Sequence, residues 1–539
     1  MSNPPSRQLK NQGSSSKKAK SITFSTIIMI IGLFLSKGSG FLRDIFVSRT
    51  FDETYREAFT GAFLIPDFIF ALLVGGAIQS AITPTLSRAI ENKQEKKAWR
   101  GVSIFISWMT LFVFGAVVVG ELLSNILYRF FYQTDSQEVV QLAGNMARTL
   151  YPQIFFMMLA ALCIGILNAY KKFGSTAFGP TIYNVCVLLS IGLLGASNEK
   201  ALILTGLGIM ASALIYFLFQ LYMGKREIRR FRPCLDIHDP EFRSLFKLAV
   251  PILISASVVQ LNMLLIKSFS TRFDDGPLFA LRNAETLWQL PYGIFAVGIG
   301  NVMLPSLASH YAAKEFKKAS ELLSRSIKNA LFLTIPCAGL FLVLREDIVR
   351  AAFKWSEGYT ESNVKLAALF LTGFCLSIVT QSVIFILNQA FYSIGKTRFP
   401  LFAGIVTMLT NIGLCVLFVD VFKFGPISLT IAYSASCVVR LILLAVVYCK
   451  NRALAPRKMR VFIVKSVICL IAMAGVMYLL TVLVPWAPSR KIVQLIWLGA
   501  RCVLGFAIYF IVAFLLKMDE LKIAYQRYVA RFFRKKKSA

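Results

Sequence analysis

The sequence is poor in the residues that carry metal, redox and acid–base chemistry. Histidine occurs only at His238 and His310, and none of the 10 cysteines lies in a CxxC pair. Walker, GxSxG and recurring carboxylate-pair patterns are also missing. Zinc sites, thiol–disulfide centres, nucleotide hydrolysis and acyl transfer rely on such patterns. We therefore expect no enzyme activity, no metal and no cofactor. The cysteines, most of which lie in apolar segments, are interpreted as packing residues.

Charge is also scarce, and this excludes a soluble protein of such length. Of 539 residues, 16% are charged and 56% are hydrophobic, and the mean hydropathy is +0.65. Apolar runs of about 20 residues, enough to cross a bilayer as a helix, recur along the chain. They lack the alternation of membrane strands. We predict an all-α polytopic membrane protein with 14 transmembrane helices, at residues 22–49, 58–87, 101–129, 139–169, 176–196, 201–223, 244–270, 280–309, 326–344, 361–393, 399–419, 425–449, 460–484 and 491–516.

Acidic residues are fewer than basic ones, 27 against 59. The Lys and Arg residues collect in alternate loops, such as "GKREIRRFRP" and "CKNRALAPRKMR", whereas "FDETYRE" and "RFDDGP" between them carry acids. By the positive-inside rule, this pattern places both termini in the cytoplasm. Nucleic-acid binding is the alternative, but we favour basic runs that set topology and contact membrane lipids. Residues 1–20 are expected to form a disordered basic tail, and 517–539 a second basic cytoplasmic tail.

Two stretches of the chain repeat each other. "TPTLSRAIENKQEKKAW" aligns with "LPSLASHYAAKEFKKAS", so that Pro84 matches Pro305, 221 positions later; "AYKKFGSTAF" aligns with "AFYSIGKTRF" at the same offset. Each repeat contains six helices. Because six is an even number, both halves begin on the same side of the membrane, and they are therefore parallel repeats. We predict six-helix lobes at 21–228 and 242–450, followed by helices 13 and 14 at 458–516. Such pairs usually enclose a cavity and transport by rocking; duplication kept for packing alone is the alternative.

The first predicted helix contains the charged stretch "SKGSGFLRDIFVSRTF". A charge at the bilayer centre costs about 2.5–3.5 kcal/mol. Arg43 and Asp44 lie on adjacent azimuths, so an ion pair at a helix crossing is one explanation. It leaves Lys37 and Arg49 as surplus cations. Three cations with one acid favour a cavity that receives an anion, and arginine in particular suits phosphate.

These residues carry a family resemblance. "SKGSGFLRDIFVSRTF", "ILNAYKKFGSTAFGPTIYN", "LPYGIFAVGIGNVMLPSLA" and "NQAFYSIGKTRFP" resemble the MurJ (MviN) family of lipid II flippases, within the multidrug/oligosaccharidyl-lipid/polysaccharide exporter superfamily. The resemblance extends from about residue 25 to 516. It implies fourteen helices, two pseudo-symmetric lobes and a final helix pair that forms a lipid-tail groove. It also implies transport of undecaprenyl-pyrophosphate-linked disaccharide pentapeptide between the leaflets of the bacterial cytoplasmic membrane.

The resemblance also assigns residues. The family's first-helix Arg-Asp pair falls on Arg43 and Asp44, its earlier arginine on Lys37, and an acidic residue at the start of the second helix on Glu57. Two family arginines of the cationic pocket fall on Phe70 and Thr286. We therefore predict substrate contacts from Lys37, Arg43, Asp44, Arg49, Lys267, Arg282 and Gln289, and coupling or gating roles for Glu57, Asp67 and Glu285, with Asp44 a further coupling candidate. Lys267 and Arg282 are the residues expected to compensate for the two lost arginines.

Three functions follow as hypotheses. The first is a lipid II flippase that works by alternating access, with an unidentified coupling ion. The second is a flippase for another undecaprenyl-linked glycan, which the two lost arginines favour. The third is a cation-coupled small-molecule antiporter; the extra helices 13 and 14 weigh against it, since a drug antiporter needs only twelve helices. The expected partners are lipid II or a related polyprenyl-pyrophosphate glycan and membrane lipids, with no nucleic acid, and the protein is expected to be a monomer.

Overall fold

A computed structural model describes residues 32, 35–74, 77–134, 136–273, 277–396, 398–450, 459–484, 490–518 and 520. Within these ranges the regular structure is entirely helical. The predicted tail 1–20, the loop 451–458 and all but residues 517, 518 and 520 of the predicted tail 517–539 lie outside the described residues. The helices are α1 (35–50), α2 (Glu53–Ala62), α3 (Leu64–Val74), α4 (Ala77–Glu91), α5 (Glu95–Leu122), α6 (Ser124–Phe131), α7 (Gln137–Ala169), α8 (Phe173–Leu194), α9 (Glu199–Ile228), α10 (Pro240–Ser270), α11 (Pro277–Pro291), α12 (Gly298–Ala312), α13 (Phe316–Val343), α14 (Arg345–Phe353), α15 (Glu361–Ser393), α16 (Arg398–Cys415), α17 (Ile427–Cys449), α18 (Met459–Leu483) and α19 (Lys491–Leu515).

Eleven helices among the described residues are long and apolar enough to cross a membrane. One of them, Pro277–Ala312, consists of α11, a π-helical segment at Tyr292–Val297 and α12. The eleven helices correspond to eleven of the fourteen predicted spans and confirm an all-α polytopic membrane fold. The other three predicted spans are 22–49, 58–87 and 244–270. The first lies partly outside the described residues, and the third falls on α10, of which residues 251–259 are described by backbone only. The second corresponds to three shorter helices, α2, α3 and α4.

The break between α2 and α3 has a local cause. Pro66 stands in the first turn of α3 and has no backbone N–H to donate to the carbonyl of Ala62. The buried Tyr128 hydroxyl of α6 lies 2.7 Å from that carbonyl oxygen and 2.9 Å from the carbonyl oxygen of Gly61. A tyrosine thus satisfies the acceptors that the helix break exposes. The predicted span is interrupted here because proline and a remote hydroxyl together favour the break.

The described chain divides into two compact units, residues 1–260 and 261–539. In the first unit, helix α7 packs against α2 to α6, α8 and α9. In the second unit, helix α15 packs against α11 to α14, α16 and α17. Both central helices are surrounded by neighbours, so most of their apolar surface is buried. In the most apolar 18-residue stretch of α7, 72% of the residues are buried, and in that of α15, 61% are buried. The predicted lobe boundaries at 228 and 242 stay predictions, since the division falls within α10.

The two units share the predicted repeat in their helix lengths. Helices α5 and α13 both have 28 residues, and α13 starts 221 positions after α5. Helices α4 and α12 end at Glu91 and Ala312, which are also 221 positions apart. The offset that relates the sequence motifs therefore also relates the folded helices.

The helix ends repeat as well. Lys93 and Lys314, which are 221 positions apart, both have φ 57°, in the left-handed region. After each, the N–H of the next residue bonds to the carbonyl five residues earlier, at 2.8 and 2.9 Å. Lys171 (φ 60°) and Gly395 (φ 72°) end α7 and α15 with the same bond, at 2.9 and 3.0 Å. These are Schellman ends, in which a left-handed residue satisfies the last carbonyls of a helix.

Candidate functional site

In the first unit, Gly32 and helix α1 both lie close to α8. A Cβ atom at Gly32 would lie 2.6 Å from the backbone oxygen of Ala177, so the contact requires glycine. The Asn184 side chain of α8 donates a hydrogen bond to the carbonyl of Ser36 in α1, at 3.1 Å. Close packing of this kind is the usual role of small residues between membrane helices. It fixes α1, and with it the charged residues of that helix.

Arg43 and Asp44 form the ion pair that their adjacent azimuths predict. The guanidinium Nε and Nη2 atoms both lie 3.3 Å from Oδ1 of Asp44. The Asp44 side chain is 3% exposed and that of Arg43 is 21% exposed. A guanidinium has five N–H donors, and this carboxylate oxygen accepts from two of them. Among the described residues the other three have no hydrogen-bond partner, so Arg43 can hold its pair and still bind an anion.

A buried hydrogen bond links α7 to α8, the helix that contacts α1. The buried amide of Gln153 on α7 donates to the Tyr183 hydroxyl of α8 at 3.0 Å. The buried Oε1 atom of Gln153 has no hydrogen-bond partner among the described residues. Sequence reasoning missed Gln153 and Tyr183, although a polar side chain within an apolar span was a signal for both.

The structure does not bring the four ionisable residues of α1 together. Lys37 and Arg49 are exposed, one on each side of the Arg43–Asp44 pair. Twelve residues separate these two cations, which is about 18 Å along a helix axis. One phosphate group cannot reach both. Lys37 and Arg49 each lie about 9 Å from Arg43 along the axis, so at most one of them shares an anion with Arg43.

The acidic candidates of the first unit lie in different environments. Glu57, near the start of α2, is 7% exposed, and the preceding Arg56 is 1% exposed. Arg56 donates to the carbonyl of Phe51 at 3.4 Å. Asp67 on α3 is exposed, and Phe70, one of the two positions of a lost family arginine, is partly exposed on the same helix. The coupling roles of Glu57 and Asp67 stay predictions, and Arg56 is a buried charge that sequence reasoning missed.

In the second unit, Lys267 of α10 pairs with Glu285 of α11. Their Nζ and Oε2 atoms are 3.6 Å apart, and the side chains are 30% and 12% exposed. The carboxylate therefore offsets the cation that was expected to replace a lost arginine. Arg282, one turn before Glu285, and Gln289, one turn after it, are both partly exposed. The structure thus brings two of the predicted residues into contact and places the other two on the same helix.

A further cation of the second unit, Arg440, was missed. It lies within α17, 13 residues after the helix starts at Ile427, which is about 20 Å along the axis. Its buried Nε atom has no hydrogen-bond partner, and Arg440 makes no ion pair with a carboxylate in the described part of the chain. Charged side chains inside membrane spans are rare and mark functional sites. The arginine in the apolar run "SCVVRLILLAVV" was a visible signal.

Each of the two histidines lies within 4.0 Å of a carboxylate. Nδ1 of His310 lies 2.7 Å from the Glu315 carboxylate, in the turn between α12 and α13, and His238 is exposed. Hydrogen bonds from Lys318 and His310 lower the pKa of the Glu315 carboxyl. Among the described residues, no group of three or more His, Cys, Asp and Glu side chains could hold a metal ion. The site therefore offers charge recognition by arginine and lysine.

Comparisons with known proteins agree with these features. The family model described as "Lipid II flippase MurJ" matches residues 47–496. A curated "Probable lipid II flippase MurJ" of Rickettsia prowazekii is 24% identical over 502 residues, covering 92% of this chain and 97% of the relative. The "Lipid II flippase MurJ" of Burkholderia cenocepacia is 24% identical over 505 residues, covering 90% and 96%.

Solved structures give the same fold. A structure of "Lipid II flippase MurJ, inward closed conformation" superimposes with a TM-score of 0.76 at 22% identity, and covers 92% of this chain and 99% of the other. An inward-facing multidrug resistance MATE family transporter of the MOP superfamily has a TM-score of 0.67 at 15% identity. It covers 79% of this chain and 98% of its own length.

Proposed function

Because the chain belongs to the lipid II flippase MurJ family, we propose that it carries lipid II from the inner to the outer leaflet of the membrane by alternating access. Lipid II, an undecaprenyl-pyrophosphate-linked peptidoglycan precursor, has an anionic pyrophosphate between its sugar head and its prenyl tail. The protein is a multi-pass membrane transporter. We assign it transport without catalysis, and we place it in the bacterial cytoplasmic membrane with both termini in the cytoplasm.

The observation that carries the proposal is that Arg43 pairs with Asp44 and, in the described part of the chain, still has unused N–H donors. A membrane-embedded arginine normally uses its charge for a buried partner. Arg43 has such a partner in Asp44 at 3.3 Å, yet three of its N–H donors stay unused within the described residues. A pyrophosphate oxygen is the kind of acceptor that a guanidinium binds in bidentate fashion. Lys37 adds a second cation on the same helix.

The second unit has its own candidates for anion recognition. Lys267 is partly offset by Glu285, so Arg440 is the stronger assignment. Two family arginines are replaced, by Phe70 and Thr286. Arg440 supports the lipid II assignment despite these replacements, because it supplies another arginine within a membrane-spanning helix. We assign the prenyl tail to α18 and α19. These two helices pack on each other and on α13. In the most apolar 18-residue stretch of each, only 22% of the residues are buried, so an apolar surface is left for a lipid tail.

Energy for the cycle must come from an ion gradient or the membrane potential, which is worth about 2.3 kcal/mol per charge per 100 mV. Among the predicted coupling residues, the buried carboxylates of Asp44, Glu57 and Glu285 are the candidates to exchange a cation. The proposed partners are lipid II and membrane lipids, and the proposed functional form is a monomer that needs no cofactor.

Complementation tests the proposal. The gene is expressed in a bacterium depleted of its own lipid II flippase, and growth and outward appearance of lipid II are measured. The wild-type protein should rescue both, and Arg43→Gln should rescue neither. Arg490→Gln, which removes an exposed arginine from the start of α19, serves as the control and should behave as wild type. Failure of the wild-type protein at normal membrane abundance would point to another undecaprenyl-linked glycan.

A further inference from the structure

The second unit contains a cavity at one membrane face, where α13 ends and α15 and α17 begin. Its volume is about 390 Å³. All three helices reach the same face here, since a chain that crosses the membrane along α13 must return along α15. The cavity is lined by Arg345, Glu346, Ser362, Lys365, Leu366, Leu369 and Pro426. It belongs to neither the Arg43–Asp44 pair nor the Lys267–Glu285 pair.

The charges around the cavity are unbalanced. Glu346 is engaged by Arg350, at 3.7 Å, and Arg350 also binds Glu361, at 2.9 Å. Arg345 and Lys365 make no ion pair with a carboxylate in the part of the chain that the structure describes, and both are exposed. Arg345 donates one hydrogen bond, to a backbone carbonyl at 3.1 Å. Two cations, neither of them in an ion pair within the described chain, therefore line the cavity with one carboxylate, that of Glu346, so the lining carries a net positive charge.

The cavity continues into an apolar surface on one side. Leu369 and Leu376 are 37% and 53% exposed, and they lie two turns apart on the same face of α15. Lys365 precedes Leu369 by one turn and lies about 6 Å along the axis from the start of the helix. The order along α15 from the membrane face inward is thus a cation followed by leucines. A phospholipid presents the same order of a phosphate followed by acyl chains.

We propose that this cavity binds an anionic phospholipid, with its phosphate between Arg345 and Lys365 and an acyl chain along Leu366, Leu369 and Leu376. Charge complementarity selects the occupant. A zwitterionic lipid brings its own cation to the two unpaired ones, whereas an anionic headgroup does not. Ser362 adds a hydroxyl donor to the phosphate oxygens. The inference requires only that the helices cross a membrane, so it stands or falls separately from the lipid II assignment.

Lipid binding to the full-length protein tests the proposal. The purified protein in detergent is titrated with phosphatidylglycerol, and bound lipid is counted by native mass spectrometry. Each Lys or Arg beside an anionic surface contributes roughly fivefold to affinity, so Arg345→Gln with Lys365→Gln should weaken the tightest phosphatidylglycerol site by about 25-fold. The exchange Arg345→Lys with Lys365→Arg keeps both charges and should retain most of the binding.

A matched control removes the same charges elsewhere. Arg490→Gln with Lys200→Gln deletes one exposed arginine and one exposed lysine that the predicted topology places at the same membrane face. This variant should bind phosphatidylglycerol as the wild type does. All variants are compared by gel filtration, so that a misfolded variant is recognised before its binding is interpreted.

Three outcomes would overturn the proposal. Unchanged phosphatidylglycerol binding in the double cavity variant would show that the tight site lies elsewhere. Equal affinity for phosphatidylcholine would show that the cavity does not select anionic lipids. Complete displacement of the lipid by excess inorganic phosphate would show a free-phosphate site. None of these results depends on flipping, so complementation by lipid II transport is scored separately.

Discussion

The Arg43–Asp44 pair allows recognition of the substrate to be separated from folding. At 3.3 Å, the two unit charges attract by about 5 kcal/mol with an effective dielectric constant of 20. Water reaches part of Arg43, whose side chain is 21% exposed, so the net value is smaller. Removal of one partner of a buried pair costs about 3–5 kcal/mol. Asp44 makes further interactions besides this pair, and we therefore expect about 3 kcal/mol for Arg43→Gln.

A double-mutant cycle measures the pair. Arg43→Gln, Asp44→Asn and the double variant are purified in detergent, and their free energies of unfolding are obtained by titration with a denaturing detergent. Asp44→Asn leaves a partly hydrated cation and should cost less than Arg43→Gln. The double variant leaves no buried charge and should be more stable than the sum of the two single changes predicts, by about 2 kcal/mol. Additivity to within about 0.5 kcal/mol would refute the coupling.

The same variants separate the two roles in cells. The neutral Arg43→Gln/Asp44→Asn protein should reach the membrane in near-normal amount, because the pair is removed as a unit. It should nevertheless fail to rescue a flippase-depleted strain, because the pyrophosphate has lost its guanidinium. Rescue by the double variant would refute substrate recognition by Arg43. Normal abundance of Asp44→Asn with lost transport would instead assign Asp44 a coupling role.

Three further perturbations test the remaining structure. Lys267→Ala should lower membrane abundance because it leaves Glu285 unpaired, and adding Glu285→Gln should restore abundance; a silent Lys267→Ala in complementation would remove this lysine from the site. Arg440→Gln should abolish flipping, Arg440→Lys should retain part of it, and full rescue by Arg440→Gln at normal abundance would contradict the assignment. Tyr128→Phe should lower the free energy of unfolding by about 1–3 kcal/mol because two buried carbonyls lose their donor, whereas the 65% exposed Tyr222 should tolerate the same change.

The sequence by itself determined the class of the protein, its repeat and its family. Apolar runs of membrane length are local properties of the chain, so they are readable without a structure. The 221-residue offset was also visible, and the ends of α4 and α12 and the bounds of α5 and α13 reproduce it. The Arg43–Asp44 contact was predictable because it depends only on adjacent positions on one helix.

Only the tertiary structure decided which charges are partnered across helices. Lys267 and Glu285 are 18 positions apart on different helices, and their 3.6 Å contact depends on how α10 and α11 pack. The break at Pro66 likewise depends on Tyr128, 62 positions away, whose hydroxyl binds the freed carbonyl. Arg440 is visible in the sequence as a charge within an apolar run. That it has no carboxylate partner among the described residues depends on the packing of its neighbours. Hydrophobic periodicity reports which residues avoid water, whereas the pairing of buried polar groups is a property of the packed neighbours.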